Sequence, residues 1–322
     1  MLSHLISRSV GAIAVSLSLA APVLAQADAG YPGRSIEVIV PYAAGGGVDV
    51  MARTFADVAS RELGQQLVVL NREGGGGVVG FNSLARSKPD GYTIAFSPAS
   101  PMTNAPFVNA NMPFRNDQIE PVCQVFENVF AVAVRADSAI KNLQDLLGKA
   151  KAAPGQLTFG HAGPASVGHL SMALIEREAK VKFNQVPYRG DSQAMADLMS
   201  GTLDFAALGV GTLAGKNVRI LGVLSAKRHP SLPDVPSVTE FGVPANSQGL
   251  NGLYVPAGTP RPVVARLEQA CKKVVASPEF AERVTKQSQV LSYLDAKSFK
   301  ELIDKTYATH EGLVPGLALT KN

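Results

Sequence analysis

The residues Ile36-Glu37-Val38-Ile39-Val40 are almost all apolar and β-branched, the pattern of a strand covered on both faces in a sheet flanked by helices. A glycine-rich turn follows. From Asp49 the apolar positions Met51, Phe55, Val58 and Ala59 recur at helical spacing, and Gly64 stands where such a helix would stop. The unit repeats as a strand over 67–70, a helix over 78–86, the turn signal Pro89-Asp90-Gly91 and a strand over 92–96. Alternating strands and helices predict an α/β fold.

Between Pro121 and Val134 the strand-like residues Val122, Val125, Phe126, Val129, Phe130, Val132 and Val134 form a run long enough to serve two sheets in succession. A second α/β series follows, with helices over 142–152, 166–179 and 191–199 alternating with strands over 157–159, near 186, over 203–207 and over 220–224. Another strand-like stretch covers 250–255. Thr259-Pro260 and Ser277-Pro278 then open two helices in turn, and a long last helix runs over 298–313. Two crossovers, near 121–134 and 246–256, predict two lobes, each a mainly parallel sheet flanked by helices, joined by two strands. Lobe 1 is then discontinuous, 31–128 with 250–322, and lobe 2 spans 129–249. Lobes joined in this way can close on a ligand about a hinge.

Of 322 residues 46% are hydrophobic and 17% charged, which suits a folded core and excludes a disordered chain. The net charge of +4 is spread along the chain without a basic block, so nucleic acid is not an expected partner. Arg8 precedes an apolar, small-residue run from Val10 to Leu24 that ends Val23-Leu24-Ala25. This is the pattern of a secretory signal peptide over 1–25 cut near Ala25, and a soluble exported protein is expected. In an oxidising compartment Cys123 and Cys271 form either a bridge or two buried thiols, a choice that geometry decides. Two distant cysteines make neither a CxxC pair nor a zinc site, and neither metal nor cofactor is expected.

The richest candidate is Pro41-Tyr42-Ala43-Ala44-Gly45-Gly46-Gly47-Val48-Asp49, placed where a strand gives way to a helix. Ligands of open α/β sheets bind at the carboxyl ends of strands, and helix-start amides attract anions. The same residues also suit a plain turn with Asp49 capping the helix. A second cluster spells G-x-G-x-x-G at Gly75, Gly77 and Gly80 but lacks the acidic residue that a dinucleotide needs about 20 positions on, so a turn is expected there. His161 to His169 forms another strand-to-helix loop, with Gly163, Ala165 and the N-cap candidate Ser166. A hydrolase built on Ser166 and His169 is the alternative function, but Gly163-Pro164-Ala165-Ser166-Val167-Gly168 lacks the G-x-S-x-G spacing of a nucleophile elbow. Tyr188-Arg189-Gly190-Asp191 closes a strand and opens a helix. Asp204, at a strand start, is a candidate for the cleft or for holding loop backbone.

In order along the chain, several pieces closely resemble the periplasmic solute receptors of tripartite tricarboxylate transporters, the Bug family. They are Tyr31-Pro32, Ile39-Val40-Pro41, Gly45-Gly46-Gly47 with Asp49 and Arg53, Asn71-Arg72, Pro89-Asp90-Gly91-Tyr92, Ser166 with His169-Leu170, Val186-Pro187-Tyr188-Arg189-Gly190, Ser225-Ala226-Lys227-Arg228, Leu232-Pro233-Asp234-Val235-Pro236 and Pro256-Ala257-Gly258-Thr259-Pro260. The resemblance implies a type II periplasmic binding fold, no enzymatic activity, and a monomeric receptor that delivers a small carboxylate to the transporter's membrane subunits. It places ligand contacts at Tyr42, Ala44 through Gly47, Asp49, Gly163, Ala165, Ser166 and His169, with Ser97, Ser100, Tyr188, Arg189, Asp191 and Asp204 as further candidates. Val48 replaces a usual Thr, Leu250 a common Trp, and the stretch from Asp204 to Gly215 is shorter than usual.

Overall fold

A computed structural model describes residues 30–244, 249–317 and 319. The signal-peptide expectation therefore lies outside the described residues. The chain begins β1 (Ile36–Val40), α1 (Gly47–Leu63), β2 (Leu67–Asn71), α2 (Val78–Ala85) and β3 (Thr93–Pro98). Two short helical turns, α3 (Ser100–Thr103) and α4 (Ala105–Val108), lead to β4 (Ile119–Asn128). The run of strand-like residues then continues as β5 (Phe130–Arg135), which pairs in a different sheet.

After β5 come α5 (Leu143–Ala152), β6 (Thr158–His161), α6 (Val167–Ala179), β7 (Asn184–Pro187), α7 (Asp191–Ser200), β8 (Phe205–Gly209), α8 (Val210–Leu213) and β9 (Val218–Val223). The chain returns to the first sheet as β10 (Gly249–Pro256), followed by α9 (Arg261–Ala276), α10 (Pro278–Lys286), β11 (Val290–Leu294) and α11 (Ala296–Leu313).

The first sheet runs β11-β4-β10-β3-β1-β2 and the second β7-β6-β8-β5-β9. Both are mixed, which corrects the expectation of mainly parallel sheets. β1 is parallel to β2 and β3, and β6 to β7 and β8. β10 is antiparallel to β3 and β4, β11 to β4, and β5 to β8 and β9. For β5 and β10 the reason is topological: a strand arriving from the other lobe enters its sheet from the opposite end, and βαβ crossovers are needed only between parallel neighbours.

Each sheet is covered on both faces, which accounts for the unbroken apolar strands. Phe55, Phe96, Phe126, Leu267 and Phe280 pack one side of the first sheet, and Phe81, Tyr254, Phe299 and Ile303 the other. Phe159, Met172, Ile175 and Phe205 form the larger core of the second lobe. Leu170 and Leu174 of α6 pack into a cluster of the first lobe, so the two lobes share apolar surface.

Cys123 of β4 and Cys271 of α9 are joined in a disulfide, 148 residues apart in sequence with their Cα atoms 6.7 Å apart. Among the described residues no helix is long and apolar enough to cross a membrane.

Candidate functional site

The glycine loop after β1 is held from behind by Asp49. Its Oδ2 accepts the Gly45 N–H at 2.9 Å and the Arg53 Nε–H at 3.1 Å, and its Oδ1 accepts from Asn71 Nδ2 at 2.9 Å. Burial works to raise the Asp49 carboxyl, but the Arg53 guanidinium, the Gly45 amide and Asn71 together hold it below the usual carboxylate range. Both oxygens are thus engaged in tying the loop to α1 and β2. In this arrangement Asp49 holds the loop from behind.

The loop amides do not all point to a common guest. Gly45 donates to Asp49, Gly46 makes a long turn bond of 3.4 Å to the Ala43 carbonyl, and Gly47 donates across the cleft to Thr212 Oγ1 at 3.1 Å. What does face the second lobe is the start of α1, whose first-turn amides have no carbonyl four residues back.

Opposite it lies the loop from β6 into α6. Ser166 is the N-cap, its Oγ accepting the His169 N–H at 3.4 Å. Ala165 adopts a left-handed conformation with φ of 60°, donates its N–H to His169 Nδ1 at 3.0 Å and accepts from Asn104 Nδ2 of the first lobe at 3.0 Å. His169 stacks on His161 with ring centroids 4.6 Å apart. Burial, reinforced at His161 by the neighbouring ring, lowers His161 to about 3, and burial lowers His169 to about 4. Ser166 Oγ meets His169 only at its backbone N–H, and His169 Nδ1 accepts from the Ala165 amide, so among the described residues no hydrogen bond joins the Ser166 hydroxyl to the His169 ring. The nucleophile–base contact that the hydrolase alternative requires is missing.

The lobes meet over a cavity of about 20 Å³, room for the centre of about one water molecule. Its walls are Tyr42, Gly46, Gly47, Val48, Pro98, Ser100, Phe130, Ala162, Ser166, Val167 and Asp191. The N-terminal ends of α1, α6 and α7 all contribute, and no Lys or Arg is among these residues. Tyr42 donates its hydroxyl to the Gly76 carbonyl at 2.9 Å and lies 3.2 Å from Ser100 Oγ. Burial pushes that phenol far above its ordinary value.

Asp191 Oδ2 accepts from Gly209 N at 2.9 Å and from Thr212 Oγ1 at 3.4 Å, while Oδ1 is shielded from solvent without a partner. Burial outweighs those two donors and pushes the Asp191 carboxyl up to about 6.

Of the predicted site residues, Tyr42, Gly46, Gly47, Ser100, Ser166 and Asp191 share this cavity. Ala44 is exposed, and its carbonyl accepts from Ser192 Oγ of the other lobe at 3.0 Å. Gly163 lies beside Gly76, and Ala165 and His169 shape the α6 entrance. Ser97 is buried and donates to the neighbouring Pro98 carbonyl. Tyr188 is turned to Asp197, with its hydroxyl 2.6 Å from Oδ2, and Arg189 lies on the surface 3.3 Å from Glu73 of the first lobe. Asp204 holds Thr158 at the start of β6, the end of the strand opposite the cavity, in the backbone-holding role that was one of its two candidate roles.

Thr212 and Phe130 were not among the candidates, while Val48 lies inside the candidate glycine loop. Thr212 sits on the four-residue helix α8, too short to leave a periodic signal. The second glycine cluster is more than a turn. Gly74 through Gly77 all have positive φ, and Gly76 packs so closely on Pro164 of the other lobe that a Cβ would collide with its carbonyl oxygen.

Two α/β lobes whose strand-to-helix loops meet over a cavity between them define a type II periplasmic binding fold. Solved structures of this class share it, including that of the periplasmic binding protein BugD, with a TM-score of 0.86, 28% identity and coverage of 91% of this chain and 100% of that one. MatC from Rhodopseudomonas palustris, solved with bound malate, superposes with a TM-score of 0.83 and 26% identity over 88% of this chain and all of that one.

The chain belongs to the tripartite tricarboxylate transporter family receptors, whose family model matches residues 51–319. Among its relatives is the UPF0065 protein in the tcbD-tcbE intergenic region of Pseudomonas sp. strain P51, 35% identical over 85% of this chain and 83% of that protein. The family and these neighbours are binding proteins rather than enzymes.

Proposed function

We propose that the protein is an extracytoplasmic receptor that captures a small carboxylate between its lobes and delivers it to the membrane subunits of a tripartite tricarboxylate-type transporter. The candidate ligands are di- and tricarboxylates, acidic amino acids and aromatic acids. The chain acts as a monomer, is exported, and loses a signal peptide near Ala25.

The observation that carries this reading is the convergence of three helix starts, α1, α6 and α7, on one cavity that no Lys or Arg lines. Helix-start amides and their dipoles favour an anion. MatC, a related fold, holds malate. Cross-lobe contacts hold the lobes together, among them Gly47 with Thr212, Asn104 with Ala165, Ser192 with Ala44, Arg189 with Glu73, and Gly76 with Pro164. A four-carbon diacid needs more room than the cavity offers, so the lobes part to admit it.

The test is a thermal-shift screen of carboxylates followed by calorimetry on the hits. The expected result is saturable binding of at least one carboxylate. Binding of a neutral sugar with every carboxylate silent would reject the ligand class.

A further inference from the structure

Among the described residues Asp191 is the one acidic side chain in the cavity wall, and it is an awkward neighbour for an anion. It opens α7, where a carboxylate could cap its own helix, yet its oxygens turn to other partners. Oδ2 is held by the Gly209 amide and the Thr212 hydroxyl. Thr212 accepts in turn from Gly47 of the first lobe, so a relay of two hydrogen bonds ties the Asp191 carboxylate to the glycine loop when the lobes meet. Oδ1 is buried and unpartnered. A buried carboxylate oxygen without a donor is costly, and a buried charge without a counter-charge more so. Among the described residues no cationic side chain lines the cavity, so a counter-charge for this carboxylate would have to come from the ligand.

Resting on the carboxylate reading above, we propose that Asp191 Oδ1 receives an ammonium group of the ligand and makes this receptor selective for amino-carboxylates. The ligand's carboxylate then lies at the helix-start amides of α1 and α6, beside Ser166, and its ammonium pairs with Asp191 at the start of α7. A hydroxyl in the same place supplies a donor without the counter-charge. An unsubstituted acid supplies neither and brings its own negative charge beside Asp191. The raised value of the Asp191 carboxyl reflects the same missing counter-charge.

The experiment is calorimetry at pH 7.5 on three matched trios: aspartate, malate and succinate; alanine, lactate and propionate; phenylalanine, phenyllactate and phenylpropionate. In whichever trio binds, the amino member is expected to be tightest and the unsubstituted member weakest, with about tenfold or more between them. Asp191→Asn keeps an acceptor for Gly209 and removes the charge, and should compress that spread to about threefold or less. Its melting temperature should equal or exceed that of the wild type, which checks its fold. The wild-type ranking decides the matter even if that variant fails to fold. An unsubstituted acid that matches or beats its amino partner overturns the role of Asp191 and leaves the carboxylate reading standing. A spread that survives in a folded Asp191→Asn does the same. Silence from all nine acids overturns the selectivity for amino-carboxylates and leaves the carboxylate reading to the wider screen.

Discussion

Gly76 of the first lobe and Pro164 of the second approach so closely that only a hydrogen fits between the Gly76 Cα and the Pro164 carbonyl oxygen. Gly76 also holds φ of 64° and presents its own carbonyl to Tyr42. A methyl group here has no room while the lobes are together. Gly76→Ala is expected to cost about 1 kcal/mol of stability from the left-handed backbone, and to weaken ligand binding by about tenfold or more because the lobes cannot close. Calorimetry with the best-binding carboxylate checks it, and wild-type affinity would show that this contact plays no part in closure.

Asp49 pins the glycine loop by accepting from Gly45, Arg53 and Asn71. Asp49→Ala leaves the Gly45 amide, the Arg53 guanidinium and Asn71 without their shared acceptor, and should cost about 1–3 kcal/mol in chemical denaturation. Affinity should fall with it, since the loop positions the start of α1. A variant of normal stability would mean that the loop is held by backbone contacts alone.

The stacked histidines predict a pH dependence of stability. His161 and His169 are lowered to about 3 and about 4 by burial, with Gln185 alongside working in the opposite sense. Both folded-state values lie below the ordinary one near 6.5, so the unfolded chain takes up protons first. Their contribution is complete above about pH 6.5 and is lost as pH falls toward 4, by roughly 2–3 kcal/mol per ring. Protonating His169 also removes the acceptor for the Ala165 amide. Urea titrations from pH 7.5 to 4.5 should show this fall, and His161→Asn should flatten it. An unchanged slope in that variant would place the acid sensitivity elsewhere.

Joining β4 to α9, the disulfide closes a loop of 148 residues that includes the whole second lobe. Replacing Cys123 and Cys271 together by Ser should cost about 2–5 kcal/mol, and a reductant should lower the melting temperature of the wild type but not of the variant. Equal melting curves with and without reductant would count against a structural role for the bond.

Strand and helix alternation is legible in the sequence because most elements are local and periodic. The strand-like run from Pro121 to Val134 divides at Val129 into strands of two different sheets, a division that an unbroken apolar stretch of that length allows. β11 escapes notice because Val290–Leu294 is a half-exposed edge strand with weak alternation. The site is legible where loops sit at strand ends, hence Gly46, Ser166 and Asp191. It is illegible where it depends on what arrives from the other lobe. Nothing local to Gly47 announces Thr212, nothing near Gly76 announces Pro164, and Asp49 reads equally as cap or contact until Asn71 and Arg53 are seen on it.

The position of β10 between β3 and β4 has a consequence for biogenesis. All strands of the second sheet have left the ribosome or the export channel once Val223 emerges, so that half can assemble from contiguous chain. The first sheet cannot, because its central member ends at Pro256. Until then β3 and β4 are without the partner that lies between them, an interval in which bare strand borders invite mispairing and a holding chaperone would be of most use.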